Sequence, residues 1–225
     1  MGNCRHFSFL LRQKAQELGA QFVFDTPVRA LVAGRQPELQ FQDGTMQAFD
    51  AVVVCAGVQA NEVLRSIGIR LPLAPVYGYS ITAPLRAQAH DQQLGPVSAL
   101  MDERFKVAIS RLGRRVRVAG SAELGGRLDH LSPAPLRTLY RVLDEWFPGA
   151  AQQADAQHWK GARPMLPDGP PVLGESGAPG VWLNLGHGSS GWALACGSAQ
   201  VLADCIRGRP APLDLTRLTR QRLLG

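Results

Sequence analysis

Apolar positions along this chain follow two different patterns, one typical of helices and one typical of buried strands. Phe7, Leu10, Leu11 and Leu18 fall on one face of a helix. Gly19 follows them, in the usual position of a C-capping glycine. The run Ala51–Cys55 is instead apolar on both faces, which is typical of a central parallel strand. Helical and strand patterns then alternate along the chain, and together they predict a mixed α/β (α+β) fold.

The same pattern predicts the other elements. Ser132 followed by Pro133 is typical of a capped helix start, and this helix should stop at Pro148. Strands are predicted over 20–25, 28–33, 38–42, 48–57, 76–82, 104–110, 115–121 and 181–185, and helices over 61–67, 133–146 and 191–206.

The middle of the chain is rich in strand patterns and is flanked by prolines, which indicates a crossing between domains. We therefore expect a sheet-rich domain at residues 73–159. It would be inserted between two segments, 1–72 and 160–225, that together form one α/β domain.

Composition narrows the class of protein. Apolar residues make up 45% of the chain, enough for buried cores, and no run is long enough to span a membrane. The N-terminal residues do not resemble a signal peptide. Four cysteines without CxxC spacing predict buried thiols in a reducing compartment, and the scattered histidines predict no metal site. These features favour a cytoplasmic protein.

The formal net charge is +6, and the densest basic run is Arg111–Arg117. The run looks like two strands flanking a turn, with charges at the tip. No stacking aromatic residues interleave with these arginines, so a solvated hairpin is favoured over a nucleic-acid surface. We expect no nucleic-acid partner.

A stretch rich in glycine and serine, "GHGSSG" (Gly186–Gly191), joins a predicted strand to a predicted helix. A helix start presents unpaired N–H groups and partial positive charge, and a backbone with few side chains lets a ligand approach them. A plain strand-to-helix turn explains the stretch equally well. It is neither a GxGxxG fingerprint nor a phosphate loop with its lysine.

Arg163 stands in a second unusual stretch, "GARPMLPDGPPVLGE" (Gly161–Glu175). The following proline holds the backbone of Arg163 extended, and a guanidinium is a natural partner for a carboxylate. Taken alone, the favoured interpretation is a surface arginine that pairs with Asp168 or Glu175.

The strand at Val52–Cys55 ends in two small residues, Ala56 and Gly57. The carboxyl end of a buried strand is the usual ligand position in an open α/β sheet. Any α/β protein has such strands, so this feature alone is weak.

Together, four segments resemble the FAD-dependent D-amino-acid oxidase superfamily in their order and spacing. They are "TPV" (Thr26–Val28), "DAVVVCAG" (Asp50–Gly57), "ARPMLPDGPPVLG" (Ala162–Gly174) and "NLGHGSSGWALACGSAQVLADCI" (Asn184–Ile206). The segments "GNCRHF", "VYGYSIT" and "MDERFKVAISRLG" resemble the bacterial D-amino-acid dehydrogenase subgroup. The likeness covers essentially the whole chain.

The resemblance implies an FAD cofactor and roles for individual residues. The backbone of Val28 would meet the adenine, and Arg163 would hold the substrate carboxylate. Cys55, Ala56 and Gly57 would lie along the dinucleotide. The loop and helix start that face the flavin ring would be Gly188, Ser189, Ser190, Gly191, Trp192 and Ala193. Residues 73–159 would be the substrate-binding domain.

The implied reaction oxidises a D-amino acid to an imino acid, by hydride transfer from Cα to flavin, and water then releases a 2-oxo acid. Electrons would pass to a membrane quinone or another acceptor, so the protein could be peripheral on the inner face of the cell membrane. Amine oxidation of the glycine or sarcosine type is the alternative within this class.

The chain departs from the superfamily in one respect, because it contains no GxGxxG turn. It resembles the C-terminal half of such a protein, an incomplete Rossmann-like FAD domain. We expect Ala51–Cys55 to expose an apolar edge and the chain alone to bind FAD poorly. The remaining alternative is a non-catalytic remnant that needs a separate dinucleotide-binding half as its partner.

Overall fold

The computed structural model describes residues 2–86 and 94–224. Its helices are α1 (Cys4–Glu17), α2 (Ala60–Leu64), α3 (Pro133–Trp146) and α4 (Gly191–Ile206). Its strands are β1 (Val28–Val32), β2 (Glu38–Phe41), β3 (Met46–Ala48), β4 (Val52–Val54), β5 (Ala74–Pro84), β6 (Leu100–Asp102), β7 (Val107–Leu112), β8 (Arg115–Glu123), β9 (Gln157–Met165), β10 (Val172–Glu175) and β11 (Val181–Leu185).

The chain divides into two compact units. The sheet unit comprises Met1–Arg12 and Val76–Ala162, and the α/β unit comprises Gln13–Pro75 and Arg163–Gly225. The mixed α/β fold expected from the sequence is confirmed, and α4 has the predicted bounds.

The α/β unit contains two small sheets. Strands β1, β2 and β3 form an antiparallel meander. In the other sheet the order is β10-β11-β4, with β10 antiparallel and β4 parallel to β11. Leu64, Leu183 and Leu185 are at most 2% exposed and belong to the core of this unit.

The predicted strand at residues 20–25 is wrong, because this segment is not part of a strand or sheet. Val23 and Phe24 are 74% and 60% exposed, and Asp25 has a φ of 54°. An apolar run becomes a strand only where another strand bonds its backbone, and the described chain supplies none here.

The sheet unit contains one five-stranded sheet, in the order β6-β7-β8-β5-β9. Val116 and Val118 of β8 and Ile81 of β5 are fully buried on one face, in a core shared with Leu139 and Leu143 of α3. Alternation along the strands therefore leaves the other side chains of β8 and β5 on the opposite face.

Two local expectations need correction. Ser132 precedes α3 as predicted, but its side chain makes no capping bond, because its Oγ donates to Glu123 Oε1 at 2.5 Å. The thiols are free but not buried as expected. Cys4, Cys55 and Cys196 are exposed and Cys205 is partly exposed.

A buried lysine of β9, Lys160, is at the centre of a polar network in the sheet unit. Lys160 Nζ lies 2.6 Å from Glu123 Oε2, and its side chain is 2% exposed. The same ammonium donates to the carbonyl oxygens of Arg127 at 2.7 Å and His130 at 2.8 Å. All three of its N–H donors therefore have an acceptor, as a buried ammonium requires.

Glu123 is the acidic member of this network. Besides the bond from Lys160, its carboxylate accepts hydrogen bonds from Ser132 and from Tyr79 Oη, the latter at 2.6 Å. The bonds from Lys160, Ser132 and Tyr79 lower the pKa of Glu123 to about 2. Its charge is thus retained far into the acid range.

The pH dependence of stability tests this network. A carboxyl with a lowered folded pKa contributes stability above its unfolded pKa, near 4.5, and loses it as the pH falls toward 2. We expect Glu123→Gln to lower the Tm at pH 7, because Lys160 keeps its charge in a buried place without a counter-charge. We also expect the Tm of this variant to vary less between pH 4.5 and pH 2.5.

Circular dichroism melts of the wild type and the variant across this range are the measurement. Glu103→Gln is the control, because the Glu103 side chain is 72% exposed and pairs with Lys106 at the surface. Parallel curves of Tm against pH for the wild type and Glu123→Gln would show that the network does not titrate as described.

Candidate functional site

The parallel pair β4 and β11 organises the candidate site. Val52 lies opposite Val181, and Val54 lies opposite Leu183. Parallel strands end at the same edge of a sheet, so the turns that follow β4 and β11 leave it side by side. This edge is where open α/β sheets bind ligands.

A cavity of about 380 Å³ opens beside β4. Val28, Cys55 and Ala56 line it, so the structure brings together three of the positions predicted to meet the dinucleotide. Cys55 is exposed as a residue, but partial burial of its sulfur raises the pKa of the thiol, which favours the neutral form. The remaining lining residues are Pro27, Leu39, Val52, Val53, Val54, Gln59, Glu62 and Val63.

Gly57 follows the cavity residues at the start of a short 3-10 turn. Its φ is 55°, a left-handed conformation that favours glycine. A Cβ at this position would meet nothing within 4 Å. The conformation, and not crowding, therefore explains the glycine, and the backbone here is open to a ligand.

Strand β4 is the outer strand of its sheet, and Val53 is 38% exposed. One backbone edge of β4 consequently has no strand beside it in the described part of the chain. The apolar edge expected at Ala51–Cys55 is confirmed, and it forms a wall of the cavity.

The loop after β11 depends on two glycines. Gly186 has a φ of 77°, and a Cβ there would approach Leu166 Cδ1 to 2.5 Å. Gly188 has a φ of 55°, and a Cβ there would approach Met165 Sδ to 2.5 Å. The end of β9 and the residue after it therefore pack directly on this loop, and the contact leaves no room for side chains.

Helix α4 begins directly after this loop. Ser189 and Ser190 lie in an exposed 3-10 turn, and Ser190, at the N-cap position, makes no capping bond with its side chain. Gly191 is the first residue of the helix. The Ser190 N–H donates to the carbonyl oxygen of His187 at 3.2 Å. The start of the helix carries a partial positive charge.

The first half of α4 is apolar and exposed. Trp192 is 53% exposed and Leu194 is 39% exposed. Ala193 and Cys196 are also exposed. Burial begins only at Ser198. A helix that is apolar on all sides is ordinarily covered on all sides, so this surface is suited to contact with other protein.

His187 connects this loop to α4, a role that no sequence pattern predicted. Its Nε2 lies 2.9 Å from Ser198 Oγ, and burial lowers the pKa of the ring, which favours the neutral form. The signal was a histidine between two glycines, which sequence alone does not connect to a serine in the following helix.

Arg163 is on β9, two residues before Met165, whose sulfur packs on Gly188. The structure thus brings the strand that carries Arg163 to the predicted flavin-facing loop. Arg163 is not among the residues that line the cavity beside β4. Asp168, one of the two acidic residues considered from the sequence as a partner of Arg163, accepts a hydrogen bond from Arg222 Nε at 2.5 Å.

Within residues 2–86 and 94–224, no group of three histidine, cysteine or acidic side chains is arranged to hold a metal ion. The helices of this part of the chain are also too short or too polar to cross a membrane.

Comparison with protein families identifies the fold. Residues 1–205 match the DAO family, described as FAD dependent oxidoreductase. The chain belongs to this family. The residues beside β4 fit such a cofactor, because they line a cavity and the left-handed Gly57 leaves its backbone open next to it.

Curated relatives are similar in sequence to nearly the whole chain. The D-amino acid dehydrogenase of Bradyrhizobium diazoefficiens is 41% identical over 98% of this chain. That of Cereibacter sphaeroides is 43% identical over 100% of it. The chain spans about half the length of these relatives, 52% and 51% respectively.

Solved structures share the fold at lower identity. Glycine oxidase from Geobacillus kaustophilus matches 94% of this chain with a TM-score of 0.78 and 21% identity, and the chain covers 56% of it. Iminodiacetate oxidase from Chelativorans sp. BNC1 matches 84% with a TM-score of 0.71 and 24% identity, and 51% of it is covered.

The glycine at position 188 provides a test of the loop. Gly188→Ala should destabilise the chain by about 1–2 kcal/mol, because alanine disfavours a left-handed φ, and the contact with Met165 adds to this cost. Urea unfolding is the measurement.

Gly197→Ala is the matched control. Gly197 lies within α4 and a Cβ there meets nothing within 4 Å, so this change should stabilise the helix by about 0.5–1 kcal/mol. Equal effects of the two substitutions would contradict the described loop conformation.

Proposed function

We propose that this chain is the flavin-ring and substrate half of an FAD-dependent enzyme that oxidatively deaminates D-amino acids. The proposal is supported most directly by one observation, the meeting of the β9 end with the side-chain-poor loop before α4. The identity of 41–43% to D-amino acid dehydrogenases favours this substrate class over glycine, since the glycine oxidase match is only 21% identical.

Each residue has a proposed task. Val28, Cys55, Ala56 and Gly57 accommodate the adenine side and the length of the dinucleotide. The backbone amides at the α4 start bind the electron-rich edge of the flavin ring, where a helix N-terminus stabilises negative charge. FAD, when bound, supplies the hydride acceptor. Arg163 holds the substrate carboxylate and so directs Cα toward the ring.

The segment that faces the ring would comprise Gly188, Ser189, Ser190, Gly191, Trp192 and Ala193, within which the Ser190 N–H already donates to the His187 carbonyl. These residues have few or small side chains before Trp192, so a planar ring can lie against their backbone. No side chain need act as a strong base in this scheme, and none is assigned.

A dinucleotide-binding half is the proposed partner. Three apolar surfaces need a cover, namely the free edge of β4, the first half of α4, and α1, where Leu10 and Leu11 are 48% and 54% exposed. A further parallel strand beside β4 would extend the sheet and complete the cavity wall. The relatives have about twice the length of this chain, enough for such a half.

Electrons from the reduced enzyme are proposed to pass to a membrane quinone or another acceptor, with the enzyme on the inner face of the cell membrane.

If no partner completes the fold, the chain would be a non-catalytic remnant. The next experiment distinguishes a chain that a dinucleotide-binding half completes from a non-catalytic remnant.

Reconstitution tests the function. The chain is co-expressed with the part of the Cereibacter sphaeroides dehydrogenase that it does not match. We expect a one-to-one complex with a flavin absorbance band that reduces a dye when D-alanine is added. The chain alone should bind little added FAD. The complete relative is the positive control, and a chain that forms no complex and retains no flavin would contradict the proposal.

Arg163 is tested in the active complex. Arg163→Ala should raise KM for D-alanine, because a charge-assisted pair with a carboxylate contributes about 2–5 kcal/mol, and bound flavin should be unchanged. Arg163→Lys should recover part of the loss, since it keeps the charge but not the bidentate geometry. An unchanged KM in Arg163→Ala would reject the assigned role.

A further inference from the structure

Arg117 occupies the middle of the sheet unit, on the face opposite α3. It is on β8, the central strand, between Val116 and Val118, which are buried in the core. Its neighbours across the sheet are Thr82 on β5 and Ser110 on β7. Both are short and uncharged, so the guanidinium emerges among small hydroxyl side chains.

The charge of Arg117 has no acidic partner among the described residues. One guanidinium nitrogen donates to Ser80 Oγ at 3.2 Å, and no carboxylate of the described chain lies within 4 Å. Other arginines do have one, as the pairs Arg127–Asp129, Arg141–Glu145 and Arg222–Asp168 show. A half-buried guanidinium with unused donors is suited to a carboxylate.

Trp159 of β9 forms a wall beside this charge. Its ring centroid lies 5.9 Å from Arg117 Cζ, and the residue is 57% exposed. The indole lies against Gly161, where any Cβ would collide with it. The glycine therefore lets an exposed aromatic ring rest on the sheet, where it shields one side of the guanidinium from water.

We propose that Arg117 and Trp159 form a carboxylate-binding subsite on the open face of this sheet. Its ligand is the side-chain carboxylate of a dicarboxylic amino acid. Arg117 binds the carboxylate, Ser80 orients the guanidinium, and Trp159 packs on the methylene chain. The choice of an amino-acid substrate rests on the proposed function, whereas carboxylate binding rests on this cluster alone.

The binding step is tested on the chain without FAD. Glutarate, a dicarboxylate, is titrated at constant ionic strength while tryptophan fluorescence is followed, and glutaramide is the uncharged analogue. We expect saturable binding of glutarate, at least tenfold weaker in Arg117→Gln, and a signal that is absent in Trp159→Phe. Arg114→Gln is the matched control, because Arg114 is exposed in the β7–β8 turn and its loss changes the net charge equally.

Equal binding of glutarate and glutaramide, equal affinity in Arg117→Gln, or no saturable binding by calorimetry would overturn the subsite. Circular dichroism melts establish that each variant is folded before it is compared.

The substrate step is tested in the reconstituted complex. The ratio of kcat/KM for D-glutamate to that for D-alanine should fall at least tenfold in Arg117→Gln and stay constant in Arg114→Gln. An active complex with an unchanged ratio would reject the substrate assignment. A complex that is inactive with every D-amino acid would instead reject the proposed function, while glutarate binding would still decide the subsite.

Discussion

The candidate site depends on the parallel pairing of β4 with β11. Only three residues of each strand are in register, Val52–Val54 against Val181–Leu183. Because the pair is parallel, the turn that carries Cys55–Gly57 and the loop that leads into α4 emerge at one edge. An antiparallel pair would have placed these two segments at opposite ends of the sheet, with no shared site.

The two units differ in how completely they cover their apolar surfaces. The sheet unit covers one face of its sheet with α3 and satisfies its one deeply buried ammonium, Lys160, with three acceptors. The α/β unit has a core but leaves a strand edge and the apolar start of α4 exposed. Exposed apolar surfaces of this kind are typical of sites that contact other protein.

Much of the fold and part of the site could be predicted from the sequence. Strand and helix patterns located β11 and α4 correctly, since both elements satisfy their periodicity over several residues. The strand expected at 20–25 failed because pairing depends on a partner that local pattern does not reveal. The contacts His187–Ser198, Lys160–Glu123 and Arg117–Trp159 were missed for a related reason, because each joins residues that lie on different elements.

The sequence by itself determined the periodic elements, the side-chain-poor loop and the likeness to a flavoprotein family, because these are properties of neighbouring residues and their order. Tertiary structure alone decided which of those segments meet. It placed Met165 on Gly188, gathered Val28 with Cys55 around one cavity, and left Arg117 without an acidic neighbour in the described chain. Packing and strand register set the distance between residues that are far apart in the chain. Both depend on contacts between segments, so the sequence of one segment does not determine them.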